Sequence, residues 1–521
     1  SLKNIIAFAF QHRIINFLLL GIVVAGNVSG SKILLVSPLI PSHIFTMTHI
    51  GKELLSRGHD VWMLLPNSAN PPPLVKNSGI RFIQYRLNNS LDPFESMFHQ
   101  DNVQSYVESS TFSRVLYLKD KAKYQCHSIL ENYEMFEKLR KINFDFILLD
   151  DYAFTLCLYV IPHKLGVKYG SVSAIIWPYA SKISLLPSIA PARHHHMTNE
   201  MGFWERLLNT ILKIFGDIMV YHFIDSNEYN QYIQERPYKS LTHLASQTSF
   251  WLIDQDILLD YPVPLMPNMI YVGGLSTEPH KRLPDEMRYF AGNATNGLVV
   301  VSFGSTISNI PDEKMILFLE AFRQLNQSII WKYRFRRETA GYSIPSNVLI
   351  RDWIPQNDIL GHPNTQLFIT HCGNSGQFEA LYGGVPMIGF PLTAEQPYNA
   401  RRLQHKNYGI TLNIKSFTAE ELVQSVKEVL GNQIYSRNIK TASKIFRFQG
   451  SPRERAAKMI ERVIEFGSGH LSSPELSVQQ LLLYDIVVFL CICLCVAQYV
   501  IRKTFKYGLP YIFAALKSKR D

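Results

Sequence analysis

Short apolar runs alternate with stretches whose apolar residues recur at helical spacing, and this alternation occurs twice along the chain. In the first half, 32–36 (KILLV) predicts a strand, 46–57 a helix, 61–65 a strand, and 144–149 (FDFILL) a further strand after a charged helical stretch. The alternation restarts with a strand at 298–303 (LVVVSF), a helix at 312–324, strands at 328–332 and 366–370, a helix at 373–382 and a strand at 386–390. Runs that are apolar throughout suit strands buried on both faces, so each half predicts a parallel sheet covered by helices on both sides. The expected fold class is therefore α/β: two doubly wound, Rossmann-like domains facing a cleft. The polar, turn-rich stretch 276–297 separates them, which sets expected domains at 31–283 and 298–470 with a linker at 284–297. Ligands of such sheets bind beyond the carboxyl ends of the strands, which places the site in the cleft. The segment 203–223 (FWERLLNTILKIFGDIMVYHF) stands apart, with helical spacing and little charge. It reads first as a helix packed on the amino-terminal domain, and second as a membrane-touching helix or a wall of an apolar acceptor pocket.

The two ends of the chain carry a different pattern. Residues 1–30 have a basic start, an apolar run at 14–25 and a small polar stretch, the layout of a signal peptide. Residues 481–501 (LLLYDIVVFLCICLCVAQYVI) are close to the length of a transmembrane helix, and Arg502 and Lys503 follow at once. Basic residues on that side predict a cytosolic tail over 502–521 and a lumenal body, a single-pass type I arrangement. Lys517 and Lys519 in the closing KSKRD resemble a dilysine retrieval signal, which points to the endoplasmic reticulum membrane. Of the 521 residues, 47% are hydrophobic and 18% charged, a balance suited to a globular protein with some embedded sequence. The formal charge of +10 would invite nucleic acid as a partner, but most of it lies in the first 30 and last 20 residues. The body is nearly neutral and has no basic footprint for DNA or RNA. Three of the six cysteines lie in the expected span, leaving Cys126, Cys157 and Cys372, of which Cys126 and Cys157 are the most plausible pair. Sequons at Asn88, Asn293 and Asn326 become glycosylation candidates if the body is lumenal.

The chemistry concentrates in 353–396 (WIPQNDILGHPNTQLFITHCGNSGQFEALYGGVPMIGFPLTAEQ). A strand runs into His371 and a turn, Cys372, Gly373, Asn374, Ser375, Gly376, that opens a helix. Free backbone N–H groups and the positive end of the helix make such a turn an anion site, and a histidine at its mouth adds a donor for a diphosphate. Two helical turns on, Glu379 can accept from ribose hydroxyls. Upstream, Trp353 offers an indole face on which a base can stack.

This segment resembles the signature of the UDP-glycosyltransferase family, in particular its animal, membrane-bound, glucuronosyltransferase-like branch. The resemblance implies a GT-B type fold and a UDP-sugar donor. It implies that Trp353 stacks on uracil with Gln356 in support, that His371 binds diphosphate, that Glu379 holds ribose, and that Glu395 and Gln396 contact the sugar. YVGGL at 271–275, LPDEM at 283–287 and VVVSFGS at 299–305 also follow the branch, so the likeness covers nearly the whole chain, and Ser305, Gly373, Ser375 and Gly376 join the expected UDP contacts. The chain departs from the pattern at three places. Cys372 replaces the first of two glycines, putting a side chain where backbone approaches phosphate; Ser375 stands where the branch has Asn; and Glu395 stands for Asp. In the amino-terminal half, SPLIPSHIFTMTHIGKELLSRGHDV resembles the branch's Ser-His pair with an RGH turn, and His43 lies 16 residues before His59 as that pattern requires. Histidine suits removal of a hydroxyl proton at neutral pH, and an acid would orient it; the branch places that acid at Asp150, with Asp151 in reserve.

Other motifs weigh less. Asp254-Gln255-Asp256 forms a DxD, a metal signature of a different glycosyltransferase class, in a stretch where this branch has only connecting structure. His194–His196 reads as a solvated loop. No GxGxxG or GxxxxGK is present. The resulting expectation is an inverting enzyme that moves a hexose or glucuronic acid from UDP to a hydroxyl of a small lipophilic acceptor. It needs no cofactor and no metal, and its partners are the UDP-sugar donor, the acceptor and the endoplasmic reticulum membrane, with a homo-oligomer also compatible. UDP-glucose ranks slightly ahead of UDP-glucuronate, because an ionised Glu395 would repel a carboxylate. The rivals are a ceramide-type lipid galactosyltransferase and a catalytically silent UDP-sugar or lipophile-binding regulator.

Overall fold

The computed structural model describes residues 30–87, 111–176, 187–192, 197–224, 227–305, 310–334, 342–392, 395–471, 480 and 483–508. Asn88, His194–His196, most of the expected signal peptide, and Lys517 and Lys519 of the tail lie outside the described residues.

The first sheet contains β1 (Lys32–Val36), β2 (Asp60–Pro66), β3 (Arg81–Tyr85), β4 (Phe146–Asp150), β5 (Tyr169–Ser173), β6 (Trp251–Ile253) and β7 (Met269–Tyr271). Its strands are parallel in the order β3-β2-β1-β4-β5-β6-β7. Successive side chains of a strand face opposite ways. Ile33 and Leu35 of β1 therefore pack with Ile44, Met47 and Ile50 of the helix Pro41–Ser56. Leu34 and Val36 join Phe136 and Leu139 on the other face. Burial on both faces is why these strands read as unbroken apolar runs.

The second sheet holds β8 (Leu298–Ser302), β9 (Ser328–Lys332), β10 (Val348–Arg351), β11 (Thr365–Thr370), β12 (Met387–Gly389) and β13 (Gly409–Thr411). The order is β10-β9-β8-β11-β12-β13, again all parallel. In each sheet the winding reverses once, between β1 and β4 and between β8 and β11, and these are the switch points where doubly wound sheets open a crevice.

Three segments differ from expectation. The helix expected from 46 begins at Pro41, because proline lacks an N–H that the first helical turn would leave unpaired anyway. The expected linker 284–297 contains the helix Asp285–Gly292, whose Met287 and Ala291 are buried with Val300 and Leu360 in the core of the second sheet. The helix Pro452–Phe466, expected in the second domain, packs on the first sheet: Ala456, Ala457, Met459, Ile460 and Val463 share the core of Met47 and Ile50. Arg57 adds a two-pronged ion pair to Glu461 at 2.7 and 2.6 Å, and His59 lies 3.2 Å from the same carboxylate.

The helix Phe203–Ile224 is tied to the loop before it by Asn209, which donates to the carbonyls of Pro187 and Ala190 and accepts from Ala192 N. Trp204, Leu207, Ile211 and Phe215 are nevertheless exposed, which is the apolar surface that the membrane-touching reading requires. The helix Tyr484–Lys503 has no buried residue and is long and apolar enough to cross a membrane. Cys126 and Cys157 form a disulfide. Asn293 and Asn326 are exposed.

Candidate active site

The first switch point brings together a histidine and a carboxylate. His43 sits in the first turn of the helix that follows β1, and Asp150 is the last residue of β4. His43 Nδ1 lies 3.0 and 2.9 Å from the two Asp150 oxygens. Asp150 is buried while the imidazole keeps 26% of its side-chain surface. Nδ1–H therefore donates to the carboxylate, which leaves the lone pair of Nε2 for a proton from elsewhere. Burial pushes the imidazole down, but the charge and hydrogen bond of Asp150 outweigh it, with help from Glu395 and Asp254, and His43 titrates above its ordinary value. Asp151 takes no part in this pair: it accepts from Tyr159 Oη at 3.1 Å and Ser173 Oγ at 3.3 Å, and burial raises it to about 7.

The second switch point builds the anion turn. Ser305 follows β8, and His371 follows β11. His371 is flanked by two glycines: a Cβ at Gly304, where φ is +83°, would lie 2.6 Å from the ring, and one at Gly373 2.4 Å from it. Burial, with the nearby charge of Lys332, lowers His371 to about 4, so at neutral pH it is a neutral imidazole, able to meet an anion by a hydrogen bond and not by charge. The helix Asn374–Gly383 starts directly behind, with Gly373 as its N-cap, Ser375 in its half-buried first turn and Gly376 buried.

Cys372 behaves differently from expectation. Its φ of +65° turns the thiol away from the phosphate side and into the protein, where it occupies the space that a Cβ at Gly389 would need. The backbone of the turn stays open. The residue is fully buried, and burial pushes its thiol up to about 12.

The residues expected to meet the nucleoside also lie together. Gln356 Nε2 donates to Glu379 Oε2 at 2.7 Å, so the two residues expected to hold uracil and ribose are linked. Burial raises Glu379 to about 7 against the opposing bond from Gln356. Trp353 is 53% exposed, with Phe45 of the first domain 6.2 Å away edge-on. A group not expected from the sequence completes this corner. Lys332, at the end of β9, holds its ammonium 4.4 Å from the Trp353 ring centroid and donates to Gly304 O at 2.7 Å. Burial lowers it to about 8, opposed by Glu379. It stands at the same carboxyl edge of the sheet as Ser305 and His371, where it can meet a diphosphate or a uracil carbonyl. No signal beyond a lysine closing a strand could have found it.

Glu395 precedes the helix Gln396–His405 and reaches His43 electrostatically across the cleft. Gln396 is buried, and its Oε1 accepts from Leu392 N at 2.8 Å. The DxD acids have separate partners. Asp254, the residue after β6, accepts from Asn374 Nδ2 at 3.1 Å, and Asp256 accepts from Leu258 N at 2.9 Å. Burial raises Asp254 to about 6. Behind them Arg402, buried, donates to Asp260, Gln377 and Asn374, tying the two domains together.

This arrangement can remove a proton on one side of a cleft and hold an anion on the other, and comparison with known proteins gives the family. Residues 32–520 match the family described as UDP-glucoronosyl and UDP-glucosyl transferase. UDP-glucuronosyltransferase 2B13 of Oryctolagus cuniculus is 31% identical over 507 residues, covering 93% of this chain and 94% of the relative. UDP-glucuronosyltransferase 2A2 of Homo sapiens is 31% identical over 514 residues, with 94% of each covered. Among solved structures, the spinosyn forosaminyltransferase SpnP aligns with a TM-score of 0.58 at 15% identity, over 84% of this chain and 100% of that one. The calicheamicin glycosyltransferase CalG4 aligns at 0.55 and 16%, over 84% and 99%. These two show the shared GT-B fold. The chain belongs to the UDP-glucuronosyl and UDP-glucosyl transferase family, and it is a UDP-glycosyltransferase.

Proposed function

We propose that the protein transfers a hexose, or glucuronic acid, from UDP to a hydroxyl of a small lipophilic acceptor with inversion at the anomeric carbon. The observation that carries this reading is the bonded His43–Asp150 pair at one switch point, facing the anion turn of His371 at the other. His43 Nε2 takes the acceptor proton as the oxygen attacks the anomeric carbon. The bond from that carbon to the β-phosphate oxygen breaks, and UDP leaves. Asp150 stabilises the imidazolium that forms. Ser305, His371 and the N–H groups of the helix Asn374–Gly383 take up the charge of the leaving diphosphate, which makes a metal unnecessary. Trp353, Gln356 and Glu379 hold the nucleoside, and Glu395 and Gln396 define the sugar site.

The exposed Trp204, Leu207, Ile211 and Phe215, together with the exposed helix Tyr484–Lys503, support work at a membrane on acceptors that partition into it. The favoured setting is the lumenal face of the endoplasmic reticulum, with the tail cytosolic. Product mass after incubation with UDP-glucose, UDP-glucuronate, UDP-galactose and UDP-N-acetylglucosamine and a panel of phenols and ceramide tests the reading. Absence of both UDP release and product with every pair would favour the silent regulator, and product with ceramide and UDP-galactose alone would favour the lipid enzyme. Chelator should leave turnover intact; abolition by chelator with rescue by manganese would restore the DxD reading.

A further inference from the structure

The base of this site is carried by a loop that a buried side chain of a neighbouring helix grips. Four residues, Ser37 to Ile40, join the end of β1 to the helix whose first turn carries His43. Gln125, on the helix Thr111–Leu130, reaches this connection with both ends of its amide: Oε1 accepts from Leu39 N at 3.1 Å, and Nε2 donates to Ser37 O at 3.2 Å. The two bonds clamp a tight turn, which Ile40 N closes by donating to Pro38 O at 2.8 Å. Ser37 in turn turns its hydroxyl toward Asp150 Oδ2, 3.4 Å away.

The anchor of this grip is covalent. The residue next to Gln125 is Cys126, bridged to Cys157 with 5.9 Å between Cα atoms. Cys157 lies in the helical turn Ala153–Tyr159, which begins three residues after Asp150. One short stretch of helix therefore holds both strand ends of the first switch point, the His43 side through an amide and the Asp150 side through a disulfide.

Gln125 is 4% exposed and its helix neighbours Cys126, Ile129 and Leu130 belong to the apolar core. An amide in such a place is costly unless both its ends are paired, and an aliphatic side chain would fill the same volume without that demand. The pairing found here acts on the one loop that sets the position of His43. We propose that Gln125 is a positioning residue for the His43–Asp150 pair; the inference rests on the reading of His43 as the base.

The test is Gln125→Met, close in length and shape but unable to bond Leu39 or Ser37, with Gln125→Glu beside it. An error of about 1 Å in the position of a catalytic group costs up to about a hundredfold, so kcat for Gln125→Met should fall about ten- to a hundredfold, while the KM for donor and the Kd for UDP stay within about twofold. His43 is faced by Asp150, Glu395 and Asp254. Loosening the first of these lowers the histidine's affinity for a proton, so the acid limb of the kcat profile should move to lower pH. A role in stability alone would lower the melting temperature and leave that limb in place. Gln125→Glu keeps an acceptor for Leu39 N and gives up the donor to Ser37 O, and its kcat should fall between the two. A kcat for Gln125→Met equal to wild type, or a loss with an unmoved acid limb, overturns the proposal; if Gln125→Met does not fold, the Glu variant decides by its kcat alone, because its added carboxylate itself bears on the acid limb. His43→Ala runs in parallel: full activity there would remove the base itself, whereas an inactive His43→Ala beside a normal Gln125→Met would remove only the role given to Gln125.

Discussion

Replacing Asp150 by Asn tests the centre of the mechanism with little change of shape. The amide oxygen of Asn can still accept from His43 Nδ1–H across the 2.9 Å gap, so the ring keeps its orientation, but the negative charge is gone. That charge matters most when His43 has taken the acceptor proton and become imidazolium. A hydrogen bond to a charged group contributes about 1.5–3 kcal/mol against about 1 for a neutral one. Two unit charges about 4 Å apart near a protein surface attract by about 4 kcal/mol. A loss of about 1.5–4 kcal/mol in the transition state corresponds to roughly a ten- to thousandfold drop in kcat. UDP affinity should be unchanged, since Asp150 belongs to the opposite wall. His43 titrates above its usual value because Asp150 outweighs burial, so the variant's acid limb should move to lower pH. The assay is initial rate of UDP release against pH with calorimetry for UDP. A kcat within about threefold of wild type, under 1 kcal/mol, would show that the Asp150 charge does not stabilise the imidazolium. Asp151→Asn, whose side chain meets Tyr159 and Ser173 instead, is the control and should stay close to wild type; damage there with a healthy Asp150→Asn would exchange the two roles.

His43→Ala should lower turnover by roughly two to four orders of magnitude, the range for a lost general base, with UDP binding nearly intact by calorimetry. Trp353→Ala removes a stacking face worth about 1–3 kcal/mol, so UDP affinity should fall about tenfold or more; an unchanged Kd places the base elsewhere. Lys332 is cationic below about 8 and neutral above it, so UDP affinity should decline as pH rises past that value, and Lys332→Met should flatten the decline. If the body is lumenal, exposed Asn293 or Asn326 should carry glycan removable by an endoglycosidase, and protease added to intact microsomes should leave the body uncut.

Much of this site is legible in the chain because doubly wound sheets place function at strand ends, and strand ends are where apolar runs stop. FDFILLDD announces Asp150 as the first polar residue after a buried strand, and QLFITHCG announces His371 in the same way. The start of the helix under His43 was obscured by Pro41, which reads as loop although it suits a first helical turn. Lys332 hid for the opposite reason: a lysine ending a strand normally meets solvent, and only the approach of Trp353 from 21 residues later makes it part of a pocket. The fate of Cys372 depended on a positive φ, which no side-chain pattern encodes. The linker misled because Asp285 to Gly292 is polar on its outer face and buries little besides Met287 and Ala291. The helix Pro452–Phe466 is plainly amphipathic in sequence, but amphipathicity does not say which of two sheets will take its apolar face.

Charge around the expected sugar site sets an expectation for the donor, and Asp254 contributes to it. A sugar held between His43 and the anion turn lies among the groups that act on His43, and after Asp150 these are Glu395 and Asp254. Burial raises Asp254 only to about 6, opposed by its bond from Asn374, so it is ionised near neutral pH. Arg402, the buried guanidinium behind the turn, is committed to Asp260, Gln377 and Asn374. A glucuronate carboxylate entering this corner would meet two carboxylates, whereas the hydroxymethyl group of glucose can donate to either. We therefore expect kcat/KM for UDP-glucose to exceed that for UDP-glucuronate with one shared phenolic acceptor. Asp254→Asn, which keeps an acceptor and removes a charge, should move the ratio toward glucuronate several-fold, since like charges at this range repel by about 1 kcal/mol or more. A wild-type ratio that favours glucuronate by tenfold, about 1.4 kcal/mol, would mean that the sugar carboxylate is received by a cation on another wall of the cleft, and that Asp254 and Glu395 face hydroxyls only.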